Sequence, residues 1–156
     1  MVELAIPGRG VLRLKYLILD LNGTLTLDGE LIDGVVERLE QLRKDLTVCL
    51  LTADMHGTAT KLAADLQLEL KRIKQTAERE QKIAVVRELG EQQVAAVGAG
   101  ANDAAMLKAA ALGIAVLGPE GLATSALSAA DIVAPGISEA LDLLLVPDRL
   151  IATLRC

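Results

Sequence analysis

Three apolar runs in this sequence end in side chains that could do chemistry. The first, "LILDLNGTLT" (17–26), leads into one carboxylate, Asp20, and turns at Asn22-Gly23. A charge there is costly unless a metal, a cation or backbone donors compensate it, so Asp20 is either a satisfied turn residue or a working group. The second run ends "LLTAD" (50–54), where the hydroxyl of Thr52 fits a site and equally a strand-ending turn. After the third comes "GAGANDAAML" (98–107). Its small residues let the backbone approach a ligand, and a helix starting at Asn102-Asp103 offers donors to anions and a carboxylate to cations. A glycine turn with an Asn/Asp cap would use the same residues. Lys82, early in another helical pattern, reads on its own as a solvated lysine.

The elements that must position these groups alternate along the chain. Segments 15–20, 46–51, 93–98, 113–116 and 131–134 read as buried strands, and 68–74 as a weaker one. Between them lie helical patterns. One is capped by Asp33 and turns Val35, Val36, Leu39 and Leu42 inward. A second spans roughly 57–67 with Leu62 and Leu66 inward, and a third roughly 78–89 with Ile83, Val86 and Leu89 inward. Others cover roughly 102–111, 120–129 and 138–145, the last capped by Ser138. Residues 1–14 read as a hairpin turning at Pro7-Gly8. The alternation predicts one α/β domain over 1–156, with a mostly parallel sheet covered by helices on both faces. Ligands in such folds bind at the carboxyl ends of the strands, where all three motifs fall.

Composition excludes several classes. Hydrophobic residues make up 52% of the 156, yet Phe and Trp are absent and Tyr16 is the only aromatic, so the core is aliphatic. The net charge of −5, with no basic tract and no stacking aromatics, argues against nucleic-acid binding. No apolar run approaches the length needed to span a bilayer, and "MVELAIPGRG" lacks the pattern of a secretion signal. Cys49 inside "TVCLL" and Cys156 at the end form no disulfide framework, which suits a reducing cytoplasm.

Taken in order, the motifs resemble those of the haloacid dehalogenase (HAD) superfamily, and within it the phosphorylation domain of P-type ATPases. "DLNGTLT" (20–26) matches the family's DxxGTLT, "LLTAD" its hydroxyl motif, Lys82 in "REQKIAVVRELG" its lysine, and "GAGANDAAML" its GDGxNDxxxL. The likeness runs from about Lys15 to Val133. It implies a Rossmannoid fold and a Mg2+-dependent phosphohydrolase. In that scheme Asp20 is the nucleophile that forms an aspartyl phosphate, Thr52 hydrogen-bonds the phosphoryl oxygens, and Lys82 neutralises charge. Asp20, Asp103 and the backbone carbonyl of Asn22 serve Mg2+, while Gly23, Thr24, Ala53 and Asn102 line the substrate.

Two departures bear on rate. The second Asp of most HAD phosphatases, a general acid and base, is Asn22 here, as P-type ATPases have Thr. This lengthens the expected life of the phosphoenzyme. The first Asp of the acidic motif, a direct Mg2+ ligand in the family, is Ala99, and a family glycine is Ala53. The resemblance therefore implies a slow phosphatase, with a degenerate phosphate- or partner-binding protein as the alternative. A response-regulator receiver fits poorly, because its acceptor Asp follows the third strand.

Neither 21–51 nor 53–81 leaves room for a cap domain. The site is expected to be open, to take a phosphorylated small molecule or a phosphoprotein, or to be covered by a second copy of the chain. The hairpin and the aliphatic tail "LDLLLVPDRLIATL" (141–154) are the surfaces expected to join copies. These 156 residues hold neither the ATP-binding domain nor the membrane helices of a pump, so ion transport is not expected. His56 reads as an exposed loop residue.

Overall fold

A computed structural model of the chain describes residues 1–53 and 57–156. Asp54 and His56, and with them the expectation of an exposed His56, lie outside the described residues. The N-terminal hairpin pairs β1 (Val2–Ile6) with β2 (Gly10–Leu14) in antiparallel register. The central strands are β3 (Tyr16–Asp20), β6 (Thr47–Thr52), β7 (Glu69–Arg72), β8 (Val94–Gly98), β9 (Leu112–Val116) and β10 (Ile132–Ala134). They form a six-stranded sheet in the order β10-β9-β8-β3-β6-β7, parallel at every pairing. The α/β class and its parallel sheet are as the sequence implies, including the weaker strand.

Alternation along β3 and its neighbours divides the core. Leu17, Leu19, Val48, Leu50, Ala95 and Val97 face one side, beneath α1 (Val35–Leu42), α2 (Thr58–Leu66) and α6 (Ile137–Leu145). Ile18, Cys49, Leu51 and Ala96 face the other, beneath α3 (Glu78–Leu89), α4 (Ala104–Ala109) and α5 (Thr124–Ala129). Each fully buried Leu or Ile contributes about 1.5–3 kcal/mol relative to exposure, so the aliphatic layers are ample glue without aromatics.

Several local expectations need correction. Asp33 is exposed and does not cap α1; Gly34 stands at the N-cap with φ +82°. A glycine takes that left-handed conformation without the Cβ penalty, so backbone geometry replaces the side-chain cap. Ser138 lies inside α6, whose N-cap is Gly136. The segment expected as a helix over 102–111 is a 3-10 turn at Ala101–Asp103 followed by α4. In α3 the inward stripe is Lys82, Val85 and Val86 with Leu89 behind them, and Ile83 is only half-buried.

Two elements were not foreseen. A short hairpin, β4 (Thr26–Leu27) with β5 (Glu30–Leu31), follows the first motif. Asp28 and Gly29 both have positive φ at its tip, as two-residue hairpin turns require. The tail forms α7 (Pro147–Leu154), which buries Leu150 and Leu154 in the same cluster as Leu4 and Ile6 of β1. Its end is tied by the Cys156 amide donating to the Pro7 carbonyl at 3.1 Å. The apolar tail thus packs on its own N-terminal hairpin.

Candidate active site

The strand order reverses at β3, flanked by β6 on one side and β8 on the other. Loops leaving the carboxyl ends of these strands diverge there and open a crevice. Asp20 ends β3, Thr52 ends β6, and Gly98 ends β8, so all three motifs reach one place. Lys82 arrives from α3, on the sheet face that carries Ile18 and Leu51.

Lys82 is the centre of this arrangement. Its Nζ donates to Asp20 Oδ1 at 2.9 Å and to Asp103 Oδ1 at 2.6 Å. Side-chain exposure is 1% for Lys82, 0% for Asp103 and 14% for Asp20. Only Asp20 of the three faces outward. A lysine is buried to that extent only when its charge is matched, and here two carboxylates match it. Burial works against the Lys82 ammonium, but Asp20 and Asp103 outweigh it and hold its pKa above the usual lysine value. This pairing also explains the rotated stripe of α3, since positions 82, 85, 86 and 89 lie on one helical face.

Asp103 is fully engaged. Its Oδ2 accepts the amides of Ala99 at 3.1 Å and Gly100 at 3.0 Å, while Oδ1 takes Lys82. The carboxylate sits so close to β8 that a Cβ on Gly98 would lie 2.6 Å from Asp103 Cγ. Glycine at 98 is thus required by the approach of the acidic side chain. Asn102 points away from this triad and donates to Glu78 Oε2 at 2.5 Å, which ties the 98–103 loop to the first turn of α3. Glu78 escaped the sequence reading, although an acidic residue four positions before Lys82 was the available signal.

Asp20 differs from its neighbours. Among the described residues, Oδ2 is held only by the Thr24 hydroxyl at 3.3 Å. Burial, and then the like charge of Asp103, push its pKa up to about 7 against the opposing pull of Lys82 and Thr24. The carboxylate is short of positive charge. Thr24 and Thr52 are both buried, Thr24 bonding Asp20 and Thr52 closing β6, whose last carbonyl accepts the Ile73 amide at 3.0 Å. Ala53 is partly buried just beyond it.

A cleft of about 440 Å³ opens beside the triad. Asn22, Gly23, Ala99, Gly100 and residues 120–123 line it. A second hollow of about 470 Å³ lies between the β4–β5 hairpin and α2 and holds none of the motif residues. Of the two, the first is the one lined by motif residues.

Whether Mg2+ suits these residues turns on which oxygens remain. Among the described residues no group of three or more His, Cys, Asp and Glu gathers closely enough to hold a metal. Both Asp103 oxygens already accept hydrogen bonds, and position 99 offers only a methyl group. Mg2+, however, retains several waters and commonly takes one or two carboxylates together with substrate phosphate. Asp20 and the Asn22 carbonyl fit that looser demand, although they would not form an all-protein cage.

A model of haloacid dehalogenase-like hydrolases matches residues 8–111. An uncharacterized protein of Methanocaldococcus jannaschii is 39% identical over 92 residues, covering 56% of this chain and 99% of that protein. A copper-transporting ATPase of Schizosaccharomyces pombe is 37% identical over 100 residues, 63% of this chain but only 10% of the pump. Among solved structures, 3-deoxy-D-manno-octulosonate 8-phosphate phosphatase of Moraxella catarrhalis, crystallised with magnesium and phosphate, superposes with TM-score 0.68. Identity there is 19%, with 91% of this chain and 94% of that one covered, so the likeness is one of fold. No helix among the described residues is long and apolar enough to cross a membrane.

Proposed function

The chain belongs to the haloacid dehalogenase-like hydrolases, and from that premise we propose that it is a slow Mg2+-dependent phosphatase working through an aspartyl phosphate on Asp20. The observation that carries the reading is the buried Asp20–Lys82–Asp103 ion pair at the switch point, with Asp20 alone facing outward. A carboxylate held beside a buried ammonium is the arrangement needed to bring an anionic nucleophile up to an anionic phosphoryl group.

An Asp20 oxygen would attack phosphorus while the bond to the leaving oxygen breaks, and water would then cleave the acyl phosphate. Lys82 stays charged throughout and offsets charge on the transferred group. Asp103 orients Lys82, and Glu78 with Asn102 steadies the loop that carries Asp103. Asp20 and the Asn22 carbonyl would hold Mg2+, which when bound would supply charge neutralisation at the phosphoryl oxygens and favour the ionised form of Asp20. The substrate is a phosphorylated small molecule or a phosphoprotein, admitted because only the β4–β5 hairpin and α1 are inserted between β3 and β6. We place the protein in the cytoplasm, where buried Cys49 and exposed Cys156 stay reduced.

Trapping with beryllium fluoride tests the reading. The wild type should bind the mimic only with Mg2+ present, and Asp20→Asn should bind none while keeping its fold. Aryl phosphatase activity should vanish in the same variant. The alternative, a binding protein without turnover, draws on Ala99 and Asn22. It becomes the better account if the wild type fails to trap the mimic.

A further inference from the structure

Glu120 is a carboxylate that no motif predicts. It lies in the loop that leaves β9 and crosses over the end of β8 to reach the first motif. The loop is pinned by three backbone hydrogen bonds: Leu117 to the Ala134 carbonyl at 2.8 Å, Gly121 to Gly118 at 2.9 Å, and Ala123 to Ala99 at 2.9 Å. Its anchor on Ala99 fastens it to the acidic motif itself. From this support Glu120 reaches Gly23, where a Cβ built on the glycine would lie 3.5 Å from Oε2. The side chain is exposed and, among the described residues, makes no hydrogen bond or ion pair. It lines the same cleft as Asn22 and Ala99, the two positions where the chain lacks carboxylates.

We propose that Glu120 is the general base that hydrolyses the aspartyl phosphate, taking over the work that Asn22 cannot do. The inference rests on the phosphatase reading above. A carboxylate in this cleft could instead serve a metal, but Glu120 does not gather with Asp20 and Asp103 into a metal-holding group. The base has a different requirement. Water must attack phosphorus opposite the Asp20–phosphorus bond, so its proton acceptor belongs about 7 Å from the Asp20 oxygen, across the cleft. An unpartnered carboxylate that lines this cleft beside Gly23, away from the Asp20–Lys82–Asp103 contacts, suits that demand.

In the step itself, one O–H bond of water breaks and its proton passes to the Glu120 carboxylate. The water oxygen bonds phosphorus, and the bond from phosphorus to the Asp20 oxygen breaks. Asp20 leaves as carboxylate, inorganic phosphate is released, and Glu120 returns its proton to solvent. No acid is supplied to the first step, in which the leaving group departs unprotonated.

The test uses acetyl phosphate with Mg2+, following phosphoenzyme formation and decay separately. Glu120→Gln should form phosphoenzyme within about threefold of the wild-type rate and lose it about 10²-fold more slowly or worse, the usual worth of a general base. Glu120→Asp should recover part of the decay rate. Equal decay in wild type and Glu120→Gln would overturn the inference and leave the phosphatase reading intact. So would a Glu120→Gln protein whose formation step needs tenfold more Mg2+ with decay unaltered, since Glu120 would then serve the metal. A wild type that forms no phosphoenzyme would overturn both readings.

Discussion

The two walls of the candidate site are built on opposite principles. On one, Lys82, Asp103 and the amides of Ala99 and Gly100 satisfy one another in a dry, saturated network. On the other, Asn22, Gly23 and the loop bearing Glu120 leave polar groups open to solvent. Phosphoryl transfer depends chiefly on placement and charge compensation, which the first wall provides. Proton handling adds a further factor, and there this chain departs from its family's pattern. On the phosphatase reading proposed above, the contrast is that of a protein that would retain the means to make a phosphoenzyme and would have rearranged the means to resolve it.

The largest effect should come from breaking the saturated wall. Lys82→Met removes the cation between two carboxylates and leaves Asp103 buried with its amide donors and no countercharge. Removing one member of a buried pair typically costs about 3–5 kcal/mol. We expect a fall of that order in urea unfolding at neutral pH, together with loss of phosphatase activity and of beryllium fluoride binding. A variant that kept wild-type stability would show that the network is not held by Lys82, and the contrast between the walls would fail.

Altering the open wall should change selectivity and leave the fold alone. With no acid at position 22, alkyl phosphates should react about 10²–10⁴-fold more slowly than aryl or acyl phosphates. Asn22→Asp should narrow that gap, read as a shallower dependence of rate on leaving-group pKa. Ala99→Asp should act on all substrates alike by tightening Mg2+, seen in a binding titration. A wild type equally fast on alkyl and aryl phosphates, with chemistry limiting, would mean that an acid already acts in the first step.

The same contrast decided what could be read in advance. Strands such as 46–51 were legible because a short apolar run rich in Leu and Val, bounded by Asp45 and Thr52, has few other uses. The motif positions were legible through resemblance, and they converge as that resemblance implies. Lys82 was not legible from its surroundings, because a lysine on a helix reads as solvated until its partners, 62 and 21 positions away, are known. Helix starts went astray at Asp33 and Ser138: the left-handed Gly34 sets the first, which leaves no side-chain signature, and α6 begins at Ile137 after an extended Gly136 with no side-chain cap. The Asp28-Gly29 turn did carry a signal, and Pro147 ahead of Leu150 and Leu154 marked α7. Glu120 had none: its loop lacks periodicity, and only the fold brings it over Gly23.

The smallest predicted effect lies where the walls meet, at Asp20. In the folded protein its pKa stands at about 7, while in the unfolded chain it returns to the ordinary carboxylate value near 3.8. Between those values the folded state binds the proton and the unfolded state does not. Stability contributed by this group is therefore full below about pH 4 and is lost as pH rises through about 7. One proton corresponds to at most about 1.4 kcal/mol for each pH unit within that window. Urea unfolding without Mg2+ should show wild type losing stability relative to Asp20→Asn as pH climbs from about 5 to 7. Saturating Mg2+ should flatten the difference by favouring the ionised carboxylate. If the two proteins instead run parallel across the window, Asp20 is ionised throughout. Lys82 would then prevail over burial and Asp103, and the outward carboxylate would belong energetically to the saturated wall.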